Sequence, residues 1–337
     1  LRPRLTLSAI ALSLGLGSLG LGPPAAQAAA PAPVDKLDHA LLWGRDIDQA
    51  SAVLAVKLGF QVRPGRNPGG VANRYVRLAD QGYLELLGIT RPDPELDPGM
   101  QADQASLHGG SGARAFGLHA SALDQAQADL KAQGLPVTPI FTAAADDPDG
   151  QGPGKPPRWR LFAFDRPVLS SSVFLIDYAA PRSDPASVAD DKTARQHPNG
   201  ARSLSAFWLL SADAGADKAK LEKLGLAGAV PVRVPQVAAK GYCVAVGPNA
   251  LLALEPDGPG IAADALREGG PQVLGVSLDV ADLDAAKRRV ERGYEQSLAG
   301  YDGLSGAAFL APTRADLGLL IEFHAASAKG PCEGVKG

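Results

Sequence analysis

Two groups able to do acid–base or metal chemistry interrupt apolar runs near the start of the chain. His39 follows Asp38 in Asp38-His39-Ala40-Leu41-Leu42-Trp43, and Glu85 stands inside Tyr83-Leu84-Glu85-Leu86-Leu87. A carboxylate buried alone in such a run is costly. A metal ion, a cation such as Arg74 or Arg77, or exposure on one strand face would each remove that cost. Imidazole and carboxylate together suit Zn, Mn, Fe or Ni, and an open coordination position is what a catalytic ion needs. The bland reading of His39 is a satisfied structural histidine. Side chains alternate along a strand, so Leu41 and Trp43 share the face of His39 and offer an apolar wall. Asn73, Tyr75 and Arg77 share a face in the same way, and with Arg74 they are candidate substrate contacts.

These residues need elements to carry them, and one unit recurs four times: an apolar strand, a helix opened by Asp and closed by Gly, then three strands. In the first copy Asp46 or Asp48 caps a helix through Ala50, Val53, Leu54 and Leu58, which Gly59 ends. Strands are expected over 60–62, 73–78 and 83–89. The second copy starts at 114–119, with a helix from Asp124 to Gly134 and strands near Val137, 159–164 and 173–178. The third runs over 204–210, a helix from Asp217 to Gly225, then 230–234, 242–246 and 251–255. The fourth runs over 273–280, a helix from Asp282 or Asp284 to Gly293, and a last strand at 319–323. The Pro/Asp/Ser-rich stretch between copies two and three reads as a linker. The expected organisation is a first half over 34–183, a linker over 184–200, a second half over 201–328 and a tail over 329–337. The Gly/Pro/Asp-rich loop over 143–157 is either a lid or a tolerated insertion.

The chain has 337 residues and a formal net charge of -3, with Lys and Arg scattered and few aromatic residues. No basic stripe or stacking platform argues for nucleic acid as a partner. Arg2 and Arg4, an uncharged run over 5–21, Pro23-Pro24 and Ala26-Gln27-Ala28 follow the order of a secretory leader cleaved after Ala28. The mature protein is therefore expected to be exported, periplasmic or extracellular, with no membrane span. Cys243 and Cys332 either pair in that compartment or remain free. Gly15-Leu16-Gly17-Ser18-Leu19-Gly20 fits a dinucleotide pattern, but no strand precedes it. The acidic run over 146–150 lacks the spacing of a calcium loop.

Leu37-Asp38-His39-Ala40, Leu58-Gly59-Phe60, Gly70-Val71-Ala72-Asn73-Arg74, Tyr83-Leu84-Glu85-Leu86-Leu87 and His197-Pro198-Asn199-Gly200-Ala201 together resemble glyoxalase-like proteins of the vicinal oxygen chelate superfamily. The resemblance implies an α+β fold: four tandem βαβββ modules paired into two cupped mixed sheets, with helices on the outer faces. It also implies that metal ligands come from the first and last strand of each module. His39 and Glu85 match those places in the first copy, and Asp177 falls near the last-strand place of the second. Aligning Asp48 with Asp124 puts Ala115 where a further first-strand ligand would stand. The implied set is one imidazole and two carboxylates holding a divalent ion, with Glu85 as a candidate catalytic base. His119 shares the face of Ala115 and is a candidate substrate contact rather than a ligand, because four residues span more than ~10 Å of strand. In the second half the matching places are near Ser205, Glu255, Gly275 and Glu322, with His324 close by, a degenerate set. Two functions remain open: a metal-dependent lyase, isomerase or dioxygenase acting on a small oxygen-bearing molecule, or a non-catalytic protein that binds or sequesters one.

Overall fold

The computed structural model describes residues 34–65, 68–142, 158–181, 183–327, 330 and 332–333. The expected leader and the loop over 143–157 lie outside the described residues, as does most of the tail. The first run of elements is β1 (Lys36–Trp43), α1 (Ile47–Ala52, prolonged by a wider turn over Val53–Lys57), β2 (Arg63–Pro64), β3 (Val71–Arg77) and β4 (Tyr83–Ile89). A separate helix, α2 (Pro98–Ser106), precedes the second run: β5 (Gly112–His119), α3 (Leu123–Ala132), β6 (Phe141–Thr142), β7 (Trp159–Phe162) and β8 (Ser172–Tyr178). After α4 (Pro185–Ala194) come β9 (Ala201–Leu210), α5 (Ala214–Lys223), β10 (Val230–Val234), β11 (Ala239–Val246) and β12 (Asn249–Pro256). After α6 (Ile261–Gly269) come β13 (Gln272–Val280), α7 (Leu283–Tyr294), β14 (Gly300–Gly303), β15 (Gly306–Ala311) and β16 (Leu320–Ala325).

The helix starts follow capping chemistry. Asp46, Asp213 and Asp282 each accept backbone N–H bonds at the openings of α1, α5 and α7. The third helix therefore starts at Ala214, earlier than Asp217, which is buried and accepts from Ser170 instead. Gly293 does not end α7. The helix runs on to Tyr294, and a Cβ at Gly293 would lie 2.0 Å from the Lys57 carbonyl, so glycine is what lets α7 approach α1.

The fold is α+β with a mixed sheet. In the first half the strands lie in the order β2-β3-β4-β1-β5-β8-β7-β6, with β1 and β5 antiparallel and each parallel to the last strand of its own run. The second half repeats this as β10-β11-β12-β9-β13-β16-β15-β14. One face of the first half carries Ala40, Leu42, Leu84, Leu86, Phe116 and Leu118 under the apolar sides of α1 and α3. That core also takes in Phe207, Val276 and Phe323 of the second half. We call the opposite face of each half, turned away from these helices, the inner face.

The stretch between the halves is not a bare linker, since it forms α4 and then docks onto the first run. The His197 ring accepts from Gln61 N–H at Nδ1 (3.0 Å) and bonds the Arg77 carbonyl through Nε2 (2.8 Å). Asn199 donates to the Leu58 carbonyl and accepts from Ala201 N–H. Burial lowers the pKa of His197, so the neutral ring that this donor-and-acceptor pair requires is the favoured form. Cys243 and Cys332 form a disulfide that ties the tail to β11. No helix among the described residues is long and apolar enough to cross a membrane.

Candidate functional site on the inner face of the first half

A bulge builds this site. Opposite β5, Leu37 pairs with Leu118 and Ala40 with Phe116, so Asp38 and His39 together face the single residue Gly117. Leu37 and Ala40 both belong to the main core. The alternation is reset between them, and both Asp38 and His39 turn to the inner face. A Cβ at Gly117 would stand 3.2 Å from His39 Nδ1 and 2.8 Å from the Phe174 ring, so the bulge needs glycine opposite it.

Asp38 Oδ1 lies 2.5 Å from His39 Nδ1 and accepts from the Tyr178 hydroxyl at 2.7 Å. His39 Nε2 faces Tyr83 Oη at 3.3 Å and Glu85 Oε2 at 3.4 Å. The two tyrosine hydroxyls are 3.1 Å apart. Asn73 Nδ2 donates to Glu85 Oε1 (3.1 Å) and to Tyr75 Oη (2.6 Å). The His39 ring stacks on Tyr83 at 4.1 Å and meets the edge of Phe174 at 5.1 Å. Burial, reinforced by Asp38 and Glu85, raises the pKa values of both tyrosines well above the usual phenol value, so they remain neutral donors. With Nδ1–H given to Asp38, Nε2 of the neutral ring accepts from Tyr83; when protonated it donates toward Glu85.

The structure brings His39, Glu85, Asn73 and Tyr75 together. Trp43 lies on the same face but further along β1, in an apolar cluster with Leu87 and Val71. His119 sits at the opposite end, 3.1 Å from Asp35 and stacked 6.3 Å from Tyr178. Two residues do not join. Asp177 shares the side of Val173 and Leu175, which are in the main core, and it pairs with Arg160, which also binds Asp124 of α3. Its neighbour Tyr178 takes the inner-face place instead. Arg74 likewise points to α1, bonding Asp48 and the Ile47 carbonyl (3.3 Å). For Asp177 the strand phase is one residue from that expected, and a one-residue step changes the face; Arg74 lies between Asn73 and Tyr75, so the alternation that turns those two inward turns it outward.

Register identifies the four ligand places. His39 lies eight residues before the start of α1, and the same step before α3, α5 and α7 gives Ala115, Ala206 and Gly275. Glu85 pairs with Leu41, two residues on, and the matching pairs give Phe174, Leu252 and Glu322. Ser205 and Glu255 are therefore displaced by Ala206 and Leu252. The first half offers one imidazole and one carboxylate at four places, and the other two are apolar. A transition-metal site wants three or four protein donors. Among the described residues no group of three His, Cys, Asp or Glu could hold an ion. The donor set does not fit the divalent metal that the resemblance implied. Tyr83 could be found from sequence by its two-residue spacing from Glu85, whereas Asp38, and with it its partner Tyr178, needs the bulge opposite Gly117 to be noticed.

The fold is similar to that of a mutant 4-hydroxymandelate synthase from Streptomyces coelicolor, at TM-score 0.62 and 15% identity over 88% of this chain and 95% of that one. It is similar to a catechol 2,3-dioxygenase at TM-score 0.54 and 16% identity, over 90% and 91% of the chains. A hypothetical protein from Staphylococcus aureus matches at TM-score 0.53 and 13% identity, over 86% and 98%. These likenesses show a shared fold. The chain belongs to the glyoxalase-like domain family, whose sequence pattern matches residues 37–233. No curated protein sequence matches it.

Proposed function

We propose that this chain is an exported small-molecule binding protein. In this reading its four modules pair into two cups with helices outside, and the first cup recognises its ligand by hydrogen bonds rather than through a metal. One observation carries it: two of the four ligand places are Ala115 and Phe174, while His39 and Glu85 are already engaged with Asp38, Tyr83 and Asn73. Two carboxylates, an imidazole and neutral phenols suit a ligand rich in hydroxyl or carbonyl oxygen. Export is supported by the leader pattern over 1–28 and by a disulfide of the kind that persists in oxidising compartments. Native mass spectrometry of protein taken from an exporting host tests the reading. A small molecule should be retained by the wild type and lost from His39→Ala, with no stoichiometric metal in either. Stoichiometric metal that disappears in both His39→Ala and Glu85→Ala would overturn it.

A second reading, a divalent-metal lyase, isomerase or dioxygenase, has one observation in its favour. His39 Nε2 and Glu85 Oε2 face each other, and Nδ1 is held by a carboxylate, as behind many metal-bound histidines. The similarity to a synthase and a dioxygenase at 15–16% identity carries the fold and leaves the reaction open. The metal measurement above decides between the two.

A further inference from the structure

The apolar end of the first inner face holds a polar group without a use. Trp43 closes β1 on the face of His39 and is 3% exposed, yet its indole N–H has no hydrogen-bond partner among the described residues. Leaving a buried donor unpaired weakens an equilibrium by roughly tenfold or more. Trp43 packs in a small cluster with Val71, Leu87 and Leu107, joined by Leu96 and Met100 and separate from the main core.

The outer wall of that cluster is α2 and the segment leading to it. α2 is poorly made for permanent burial, because its buried residue is Asp103. Burial pushes the Asp103 carboxyl up to about 6; Ser172 of β8 and the charge of Arg114 of β5 oppose the rise, and Asp97 at the helix's own N-cap adds to it. Polar ties hold the helix: Ser172 Oγ donates to Asp103 (3.0 Å) and Arg114 Nε donates to Ser106 Oγ (3.0 Å). Just beyond it, His108 and Gly109 take positive φ values of 50° and 77°, forming a sharp reversal. On its other flank a hollow of about 600 Å3 opens between α2 and the 89–96 segment, lined by Ile89, Leu96, Gln101 and Gln104 among others. Leu96 belongs both to this hollow and to the Trp43 cluster.

We infer that α2 is a lid over a recognition subsite in which the Trp43 indole N–H donates to an oxygen of the ligand. The inference rests on the small-molecule reading and adds a ligand class: an apolar, ring-sized body with an acceptor oxygen at the Trp43 end and hydroxyl or amine donors toward Asp38 and Glu85. Four residues separate Trp43 from His39, so such a molecule spans roughly 13 Å at about 3.3 Å per residue.

Hydrogen exchange on the intact protein, followed by mass spectrometry, reads the lid. Amides of α2 are expected to exchange at least ~100-fold faster than those of β9 and β13; equal protection overturns the lid. The closed form binds the Asp103 proton more tightly than the open form. Protection, corrected for intrinsic rate, should therefore fall about tenfold from pH 5 to 7.5, and Asp103→Asn should abolish the fall. A pH-independent wild type would also count against the lid. The probe for the subsite is 1-anilinonaphthalene-8-sulfonate, an aromatic body bearing anionic oxygens. Trp43→Phe keeps a ring and loses the donor, so binding should weaken about tenfold; unchanged affinity, or no saturable binding to wild type, overturns the Trp43 assignment. If Trp43→Phe does not fold, the wild-type indole N–H resonance of Trp43, assigned by the resonances lost in Trp159→Phe and in Trp208→Phe, must shift on probe addition for the proposal to stand. His39→Ala should leave α2 exchange unchanged. Failure of the lid is thereby read separately from failure of the small-molecule reading.

Discussion

The two halves present the same register places to their inner faces and surround the polar ones differently. In the first half, His39 and Glu85 are ringed by hydroxyls and a carboxamide, and Tyr178 keeps 36% exposure at the edge. In the second half, Ala206, Leu252 and Gly275 take three of the four places, and Trp208, Leu210, Val232 and Leu254 close the face beneath Ala262 and Ala265 of α6. The remaining place is Glu322, which accepts from Tyr301 (2.5 Å) and Ser277 (2.7 Å), while Ser277 accepts from Trp208 Nε1 (2.9 Å). There the polar groups satisfy one another inside an apolar filling. The comparison teaches that matching register places on two inner faces can carry a hydrogen-bonded polar cluster at an edge or be packed over with apolar side chains. What decides is whether the polar groups retain an open side.

The comparison breaks first where the second half is hollowed out. Trp208→Ala should destabilise the protein by about 3–5 kcal/mol, the range for removing a large buried aromatic, in urea denaturation followed by circular dichroism. A loss below 1 kcal/mol would mean that the second face is not a packed core. Next comes the disulfide between Cys243, itself in that apolar filling, and Cys332 in the tail, 89 residues apart in sequence. Its reduction should cost about 2–4 kcal/mol, measured by thermal melting with and without reductant. It should leave binding at His39 unchanged if the halves are functionally distinct.

Sequence made the repeated order of elements legible, because Asp caps and buried apolar strands leave local signals. Of the alternatives open at the two helix starts, Asp46 caps α1 and Asp282 caps α7, and β10 spans the expected 230–234. The site was half legible. His39 and Glu85 stand out because a titratable side chain in an apolar run needs a reason. Asp177 was misplaced because strand phase depends on register, which a short charged strand end does not encode; Arg74 faces away from the site by plain alternation with Asn73 and Tyr75. The partners of His39 were hidden for a different reason. Asp38 reaches it only through a bulge opposite Gly117, a long-range feature with no local signature, and Tyr178 joins by donating to Asp38. The disulfide was equally invisible, since it depends on distance alone.

Tyr178→Phe sharpens the contrast from the other side. It removes the hydroxyl that donates to Asp38 while leaving the ring in place. Water can reach this partly exposed position, so the stability loss should be about 1 kcal/mol. Ligand retention should suffer more, by about tenfold, as measured by native mass spectrometry against wild type. If stability falls by several kcal/mol and binding does not change, the first inner face is structural like the second.

The smallest expected effect is the most diagnostic of the second half. Burial raises the Glu322 pKa, and the hydrogen bonds from Tyr301 and Ser277, together with His324, only partly offset the rise. The native state thus holds this proton more tightly than the unfolded chain does. Stability from the protonated group is fully present below the ordinary glutamate value, and it is lost as pH climbs through the higher native value. Glu322→Gln keeps an acceptor for Tyr301 or Ser277 and removes the charge. At pH 4 it should lie within about 0.5 kcal/mol of wild type. As pH rises past the ordinary range, the variant should become the more stable of the two, in paired urea titrations at each pH. A variant that is instead less stable at neutral pH than at pH 4, relative to wild type, would show that the charged carboxylate is wanted there. The second inner face would then not be a packed core whose polar groups merely satisfy one another.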